Sequence, residues 1–338
     1  MDPVTQGVVG ALVASPAARR EELRVALAAG AVGGMAADLD VLIRSSSDTL
    51  LYIEYHRQFT HSFAFAPLGG LMAALVLWPF FRHRVWFAKI YLWCLMGYLV
   101  HPLVDAATSY GTQLWWPFSD LRVAWNWISV IDPAFTLPAL IFLIGTFWWR
   151  RHTPGLIGLA WMLIYMAFGA FQNHRAEEML TSWGIDQGIR TERLVAKPAF
   201  ANLLLWRGLI DDGERFHLVA IRTLPWTDAV LYPGGSVERY AGFDPQAQNR
   251  RDQDLRRFDH FSSRWLFHYP RLDQPPRQFI GDFRYALDPA DRRPLWGVLV
   301  DPNDPQQRAE YTTSRSMTDV DRRRFFQRLR GEPIDAIE

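Results

Sequence analysis

Cysteine is nearly missing from this chain of 338 residues: Cys94, inside an apolar stretch, is the single one. That excludes a disulfide framework and any cysteine-rich zinc ribbon, and leaves the compartment open. Excess charge is missing too. Lys and Arg number 36 against 35 Asp and Glu, a formal net of +1. No global field therefore draws the protein to nucleic acid, and no nucleic-acid partner is expected. The first apolar stretch, MDPVTQGVVGALVAS, has no basic run before it, so it reads as mature structure and not as a cleaved signal. Internal repeats and low-complexity segments are also absent, which excludes a solenoid or array.

What the chain has is a lopsided distribution of apolar residues. Mean hydropathy is near neutral, yet long apolar runs rich in Trp and Phe fill residues 1–172, and Arg, Asp and Gln dominate from 174 onward. Residues 62–81, 85–107, 133–149 and 154–171 are long enough, or nearly so, to cross a bilayer. Two weaker helices are expected ahead of them, at 4–14 and 22–36; the second is full of small residues that let helix backbones approach closely in lipid. The expected architecture is an α-helical membrane bundle of about five to six helices over residues 1–175, followed by a soluble, strand-rich α+β domain over 176–338. In that second part, NLLLWRGLI and RFHLVAIRTL flank the DDGE turn at 211–214 as a hairpin, and QFIGDFRYAL pairs with PLWGVLVDP. Residues 250–263 and 318–330 read as polar helices.

Basic residues in short loops give an orientation. Arg19, Arg20 and Arg24, then Arg82, His83 and Arg84, then Arg150, Arg151 and His152 occupy three alternate connections that share one face, the cytoplasmic one. The loops 42–60 and 109–132 and everything after 172 then lie outside the cytoplasm. The expected location is an inner (plasma) membrane, multi-pass, with the C-terminal domain extracytoplasmic.

Three motifs carry the chemistry: Asp38-Leu39-Asp40, His56-Arg57-Gln58-Phe59-Thr60-His61 and His101-Pro102-Leu103-Val104-Asp105. His101 and Asp105, four residues apart, share a helix face with about 6 Å of rise between them. The threading places all three motifs at the same, outer end of the bundle. A charged Asp within an apolar span is unfavourable by about 2.5–3.5 kcal/mol, a cost that a bound cation offsets. Imidazole and carboxylate together suit zinc first, with manganese and iron as alternatives. The candidate ligands are Asp38, Asp40, His56, His61, His101 and Asp105. Singly, each has a plainer reading, as a helix-end carboxylate, a loop histidine or a hydrogen-bonded pair. Arg57 either meets an anionic substrate group or pairs with an acid or a lipid headgroup. Asp132 is expected to cap a helix, His174 and Arg175 to anchor at the interface, and LWWPF at 114–118 to form part of an aromatic belt.

MDPVTQGVVGA, AADLDVLIR, EYHRQFTHSF, GYLVHPLVDAATSYGTQLWWPF and WNWISVIDP together resemble the YdjM/YfhP-type family of membrane-bound metal-dependent hydrolases, also called LexA-binding inner-membrane hydrolases. The likeness covers roughly the first half of the chain and continues faintly in PAFANLLLWR. It implies metal-dependent hydrolysis by Asp38, Asp40, His56, His61, His101 and Asp105. One departure is Gln6, where many relatives have His; Gln is a poor ligand, which bears on a second metal. The function expected is hydrolysis of an ester or phosphoester of an amphiphilic or lipid-linked substrate, with membrane lipid as a partner. In this reading one carboxylate of Asp38 and Asp40 acts as general base and Arg57 offsets substrate charge. The alternative is a non-catalytic membrane protein with a structural metal or polar cluster and a partner-binding outer domain.

Overall fold

A computed structural model describes residues 1–270, 276–314 and 316–334. It divides into two compact units. The first comprises Met1–Ile43, Tyr55–Phe171 and Phe200–Asn202; the second comprises Arg44–Glu54, Gln172–Ala199 and the remainder of the chain from Leu203.

The first unit is helical. Helix α1 (Pro3–Ala14) starts at Asp2, whose carboxylate accepts from the backbone N–H of Thr5, filling one of the orphan donors of a helix start. Helix α2 (Leu23–Ala36) continues into a 3-10 turn, Ala37–Leu42, that carries Asp38 and Asp40. Next in the chain is a short α3 (Leu51–Tyr55), in the second unit up to Glu54; the first unit resumes with a 3-10 turn at Phe59–His61, and α4 (Ala66–Phe81) leaves at a bend of 89°. Helices α5 (Phe87–Ala107), α6 (Pro133–Trp149) and α7 (His152–Asp186), the last belonging to the second unit from Gln172 on, complete the set. Leu23–Leu42, Phe87–Ala107 and His152–Asp186 are each long and apolar enough to cross a membrane.

Glycines set the spacing that the site requires. A Cβ on Gly30 would lie 2.3 Å from the carbonyl oxygen of Gly10, and one on Gly97 would lie 2.2 Å from that of Gly30. The α2 backbone is thus in direct contact with α1 on one side and α5 on the other, the close approach that small residues permit in lipid. The basic loops gather at the end away from the acidic motifs. Arg20 donates to the carbonyl of Arg150, Arg24 to that of Phe147, and Lys89 pairs with Glu22 at 2.5 Å.

The second unit contains two four-stranded antiparallel sheets. In the first, β1 (Arg193–Pro198), β2 (Leu205–Asp211), β3 (Arg215–Arg222) and β4 (Val230–Glu238) lie in chain order. Helix α8 (Arg250–Phe261) then precedes the second sheet: β5 (Leu266–Tyr269), β6 (Gln278–Asp282), β7 (Trp296–Val300) and β8 (Glu310–Thr313). Helix α9 (Asp319–Arg330) closes the described chain, with Thr318 and Asp321 forming a capping box. The expected pairs β2–β3 and β6–β7 are present as antiparallel ladders. β2 is buried along its whole length, and Leu209, Phe216, Leu218, Trp265, Phe267 and Phe283 make the core behind it.

Two expectations need correction. The apolar run at 154–171 is only the first part of α7, which continues to Asp186. Its polar extension, QNHRAEEML, is made mostly of good helix formers, so leaving the apolar stretch does not end the helix. Helix α4 begins at Ala66 and not at 62, because Ser62–Phe65 turn through the bend before Pro67, a residue suited to a helix's first turn.

Candidate metal centre

The end of the first unit opposite the basic loops holds all three motifs. Asp38 and Asp40 arrive on the 3-10 turn after α2, and His56, Arg57 and His61 on the bend before α4. His101 and Asp105 project from the last turns of α5. The 109–132 connection folds against this end. Gln113 N–H donates to the carbonyl of Arg57 at 3.0 Å, and Trp125 N–H to that of Ala106 at 2.7 Å.

Four ligand atoms converge. His61 Nε2 and His101 Nε2 are 2.8 Å apart. Asp105 Oδ2 lies 3.1 Å from the first and 3.4 Å from the second, and Asp38 Oδ1 lies 3.5 and 3.6 Å from them. These separations bracket the edge of about 3.3 Å that a tetrahedral ion with bonds of about 2.0 Å requires. His61, His101 and Asp105 are fully buried, whereas the Asp38 side chain keeps 13 % of its surface.

The tautomers explain why these atoms need a cation. His101 Nδ1 faces the carbonyl oxygen of Gly34, which can only accept, so Nδ1 carries the proton. His61 Nδ1 lies 3.2 Å from Asp40 Oδ2. Thr60 Oγ1 donates to that same oxygen at 2.9 Å and therefore accepts from His61 Nδ1. With protons on both Nδ1 atoms, the two neutral rings point Nε2 lone pairs at each other. Only a shared proton or a metal ion relieves that. Among the described residues, Asp38 Oδ2 is also buried without a hydrogen-bond partner and Asp105 Oδ2 has only the Arg57 guanidinium, 3.2 Å away, and three carboxylates face two cations, that guanidinium and the Met1 ammonium. The donor set fits a divalent ion.

Asp40 is positioned differently from the other acids. Its Oδ1 faces His56 Nδ1 at 2.8 Å, and its Oδ2 accepts from the Arg57 backbone N–H at 2.9 Å and from Thr60. Asp40, Asp38 and His56 also form a second set with ligand spacing, sharing Asp38 with the first. Arg57 sits with a φ of 62°, in the left-handed region, a cost of order 1 kcal/mol or more that its backbone hydrogen bonds offset. Its Nε is 3.2 Å from Asp105 Oδ2, and Nη1 donates to Thr108 at 3.0 Å. Of the two readings open for Arg57, pairing with an acid is the one present. Gln6 Nε2 donates to Asp105 Oδ1 at 2.9 Å, and the amino group of Met1 meets the same oxygen.

Asp132 caps α6 and accepts from Tyr165, as a helix-cap reading requires. His174 is exposed beside Glu178 on α7. Three participants escaped the sequence reading. Thr60 sits inside the HRQFTH motif and could have been flagged there. Tyr110 lies 5.4 Å from the His56 ring and 4.9 Å under the Arg57 guanidinium. The Gly34 carbonyl leaves no trace in side-chain identity.

Two known proteins are similar to part of this chain. YfhP of Bacillus subtilis (strain 168), an uncharacterized protein, is 29 % identical over 136 residues, 40 % of each chain. The inner membrane protein YbcI of Escherichia coli (strain K12) is 30 % identical over 149 residues, 37 % of this chain and 84 % of its own. The aligned stretch thus spans well under two thirds of YfhP. No solved structure matches. The profile described as YdjM inner membrane protein matches residues 1–176, more than half of the 338, with every motif of the cluster inside it, and the chain belongs to that family.

Proposed function

We propose that the protein is a multi-pass inner-membrane hydrolase dependent on a divalent metal, zinc first. Its proposed substrate is a phosphoester of an amphiphilic or lipid-linked molecule, cleaved at the extracytoplasmic interface. The observation that carries this reading is the meeting of two Nε2 lone pairs with two carboxylate oxygens at 2.8–3.6 Å. A divalent ion bound there would polarise the scissile group and bring the pKa of a water toward neutrality. His61 and His101, each fixed through Nδ1, keep Nε2 aimed at the centre. Arg57 holds Asp105 and offsets part of the negative charge. His56, with Nδ1 on Asp40, presents Nε2 as the acceptor for the proton of the attacking water. Asp40 then acts through both histidines and does not take the proton itself. Water reaches the centre along the Asp38–His56 edge, where those side chains keep 13 % and 12 % of their surface. That open edge favours a catalytic site over the closed shell of a structural one.

Chelation tests the chemistry. Protein stripped of metal should lose turnover of a phospholipid and lipid-phosphate panel and regain it with added zinc, manganese or iron. Equal turnover by metal-free protein would exclude the mechanism.

The orientation has its own support. The three basic connections gather at one end, and the segment Arg44–Glu54 belongs to the same compact unit as the strand-rich domain. There Arg257 bonds Asp48 at 3.0 Å and Glu54 at 2.5 Å. Since the basic connections mark the cytoplasmic side, the loop that carries this segment and the C-terminal domain are assigned to the extracytoplasmic side. Alkaline phosphatase fused after the C-terminal helix should be active in the periplasm, and fused at His83 inactive. The reverse pattern would invert the assignment.

A further inference from the structure

A groove of about 470 Å³ runs along the first unit between α2 and α4 and ends at Asp40 and Thr60, which pack against His61 of the metal cluster. Val32, Met35, Met72 and Val76 line its length, and Tyr98 of α5 lies in its wall. Gly69 to Val76 on α4, seven helical steps, gives it roughly 10 Å of apolar track. Polar side chains lie at one end, where Asp40 and Thr60 contribute to the lining. Tyr98, the remaining polar side chain in the wall, turns its hydroxyl to the Thr60 carbonyl at 2.7 Å. Thr60 bonds the His61 side chain and Asp40 Oδ2 lies 3.2 Å from its Nδ1, and the ring so held aims Nε2 at the centre. The groove therefore has the polarity of an amphiphile, apolar along a helix length and polar where the chemistry would occur.

The occupant follows from location. Leu23–Leu42 is a candidate membrane span, and α4 belongs to the bent candidate pair, so the medium beside the groove is hydrocarbon. Met72 and Val76 keep 55 % and 66 % of their surface exposed, and Leu39 beside the polar end keeps 63 %. The track thus opens sideways to that medium along its length. Methionine on two walls suits a flexible chain, because its unbranched thioether adapts to variable shape. Packing alone does not favour a lipid tail in the groove over the bilayer, so selection must come from the head.

We propose that this groove is the subsite for one hydrocarbon chain of a phosphate-headed membrane amphiphile, which it delivers sideways from the bilayer with the head against the metal cluster. The head's placement rests on the hydrolase reading above; the chain's placement rests on the groove.

The probe is decyl phosphate carrying a diazirine at the chain end, photolysed with the full-length, metal-loaded protein in lipid nanodiscs and mapped by mass spectrometry. Labels should concentrate on the peptides of Val32–Met35 and Met72–Val76. Unlabelled decyl phosphate should compete at about tenfold lower concentration than decanol, the difference one charge-assisted hydrogen bond gives. Ala36→Phe and Met72→Trp, which fill the groove, should each cut labelling about tenfold with metal content kept. Leu75→Phe, outside the lining, should leave it unchanged. Labels spread evenly over lipid-facing helices, or equal competition by decanol, would mean ordinary boundary lipid and overturn the proposal. Head-selective labelling without turnover would uphold the groove and remove only the hydrolase reading.

Discussion

Alanine at His61 or at Asp105 is expected to leave the purified protein without metal, while alanine at His56 leaves most of it bound. The difference comes from geometry. His61 and Asp105 each supply one of the four atoms spaced as a tetrahedral shell. His56 turns its Nδ1 to Asp40 at 2.8 Å. Losing one of four protein ligands from a small hard-to-borderline site removes a bond that water replaces poorly in a buried place. Asp105→Ala carries a second penalty, because the Arg57 guanidinium 3.2 Å away loses its partner while only 3 % exposed. Breaking one side of a buried ion pair costs about 3–5 kcal/mol. Asp105→Ala should therefore melt well below His61→Ala, which removes a neutral ring. Elemental analysis and thermal melts on the three variants read both effects. Wild-type levels of metal in His61→Ala and Asp105→Ala would remove the centre itself.

Asp40→Asn should give a folded protein that still binds metal, with affinity lowered about 10- to 100-fold, the usual loss when the partner behind a metal-bound histidine is changed. Asp40 accepts from His56, the Arg57 N–H and Thr60, and its Oδ2 lies 3.2 Å from His61 Nδ1. An amide accepts at one atom only and turns N–H groups toward at least one of these donors, so the His61 ring loses its fixed tautomer. Turnover should fall further than affinity, since the same substitution frees His56 from the carboxylate that keeps its proton on Nδ1. Titration against a chelator of known affinity, paired with turnover at saturating metal, separates the two losses. Complete loss of metal, as in His61→Ala, would make Asp40 a direct ligand; no change in affinity would deny it any role behind His61.

Much of this layout is visible in residue order. Apolar runs locate α4 to α6, the DDGE turn locates β2 and β3, and the alternation of Arg-rich loops foretells that they share an end. The helical rise from Val85 correctly sets His101 and Asp105 level with the acids after α2. The strands β1, β4, β5 and β8 are harder to see. β4 contains Pro233, Gly234 and Gly235, residues that argue against a strand locally, and pairing with β3 decides it. The full length of α7 is hidden because its polar half carries no apolar signal.

The sequence by itself determined which groups meet at one depth, because rise per residue is fixed and an apolar helix has one way to satisfy its backbone in lipid. Only the tertiary structure decided which atoms of those groups face one another. Asp38 and Asp40 are two residues apart and chemically identical. One points to Nε2 of both histidines and the other to Nδ1 of His61 and His56. That division depends on lateral distances between backbones, set where glycine leaves no Cβ between α1, α2 and α5. A fraction of an ångström there separates a ligand from the residue that holds it.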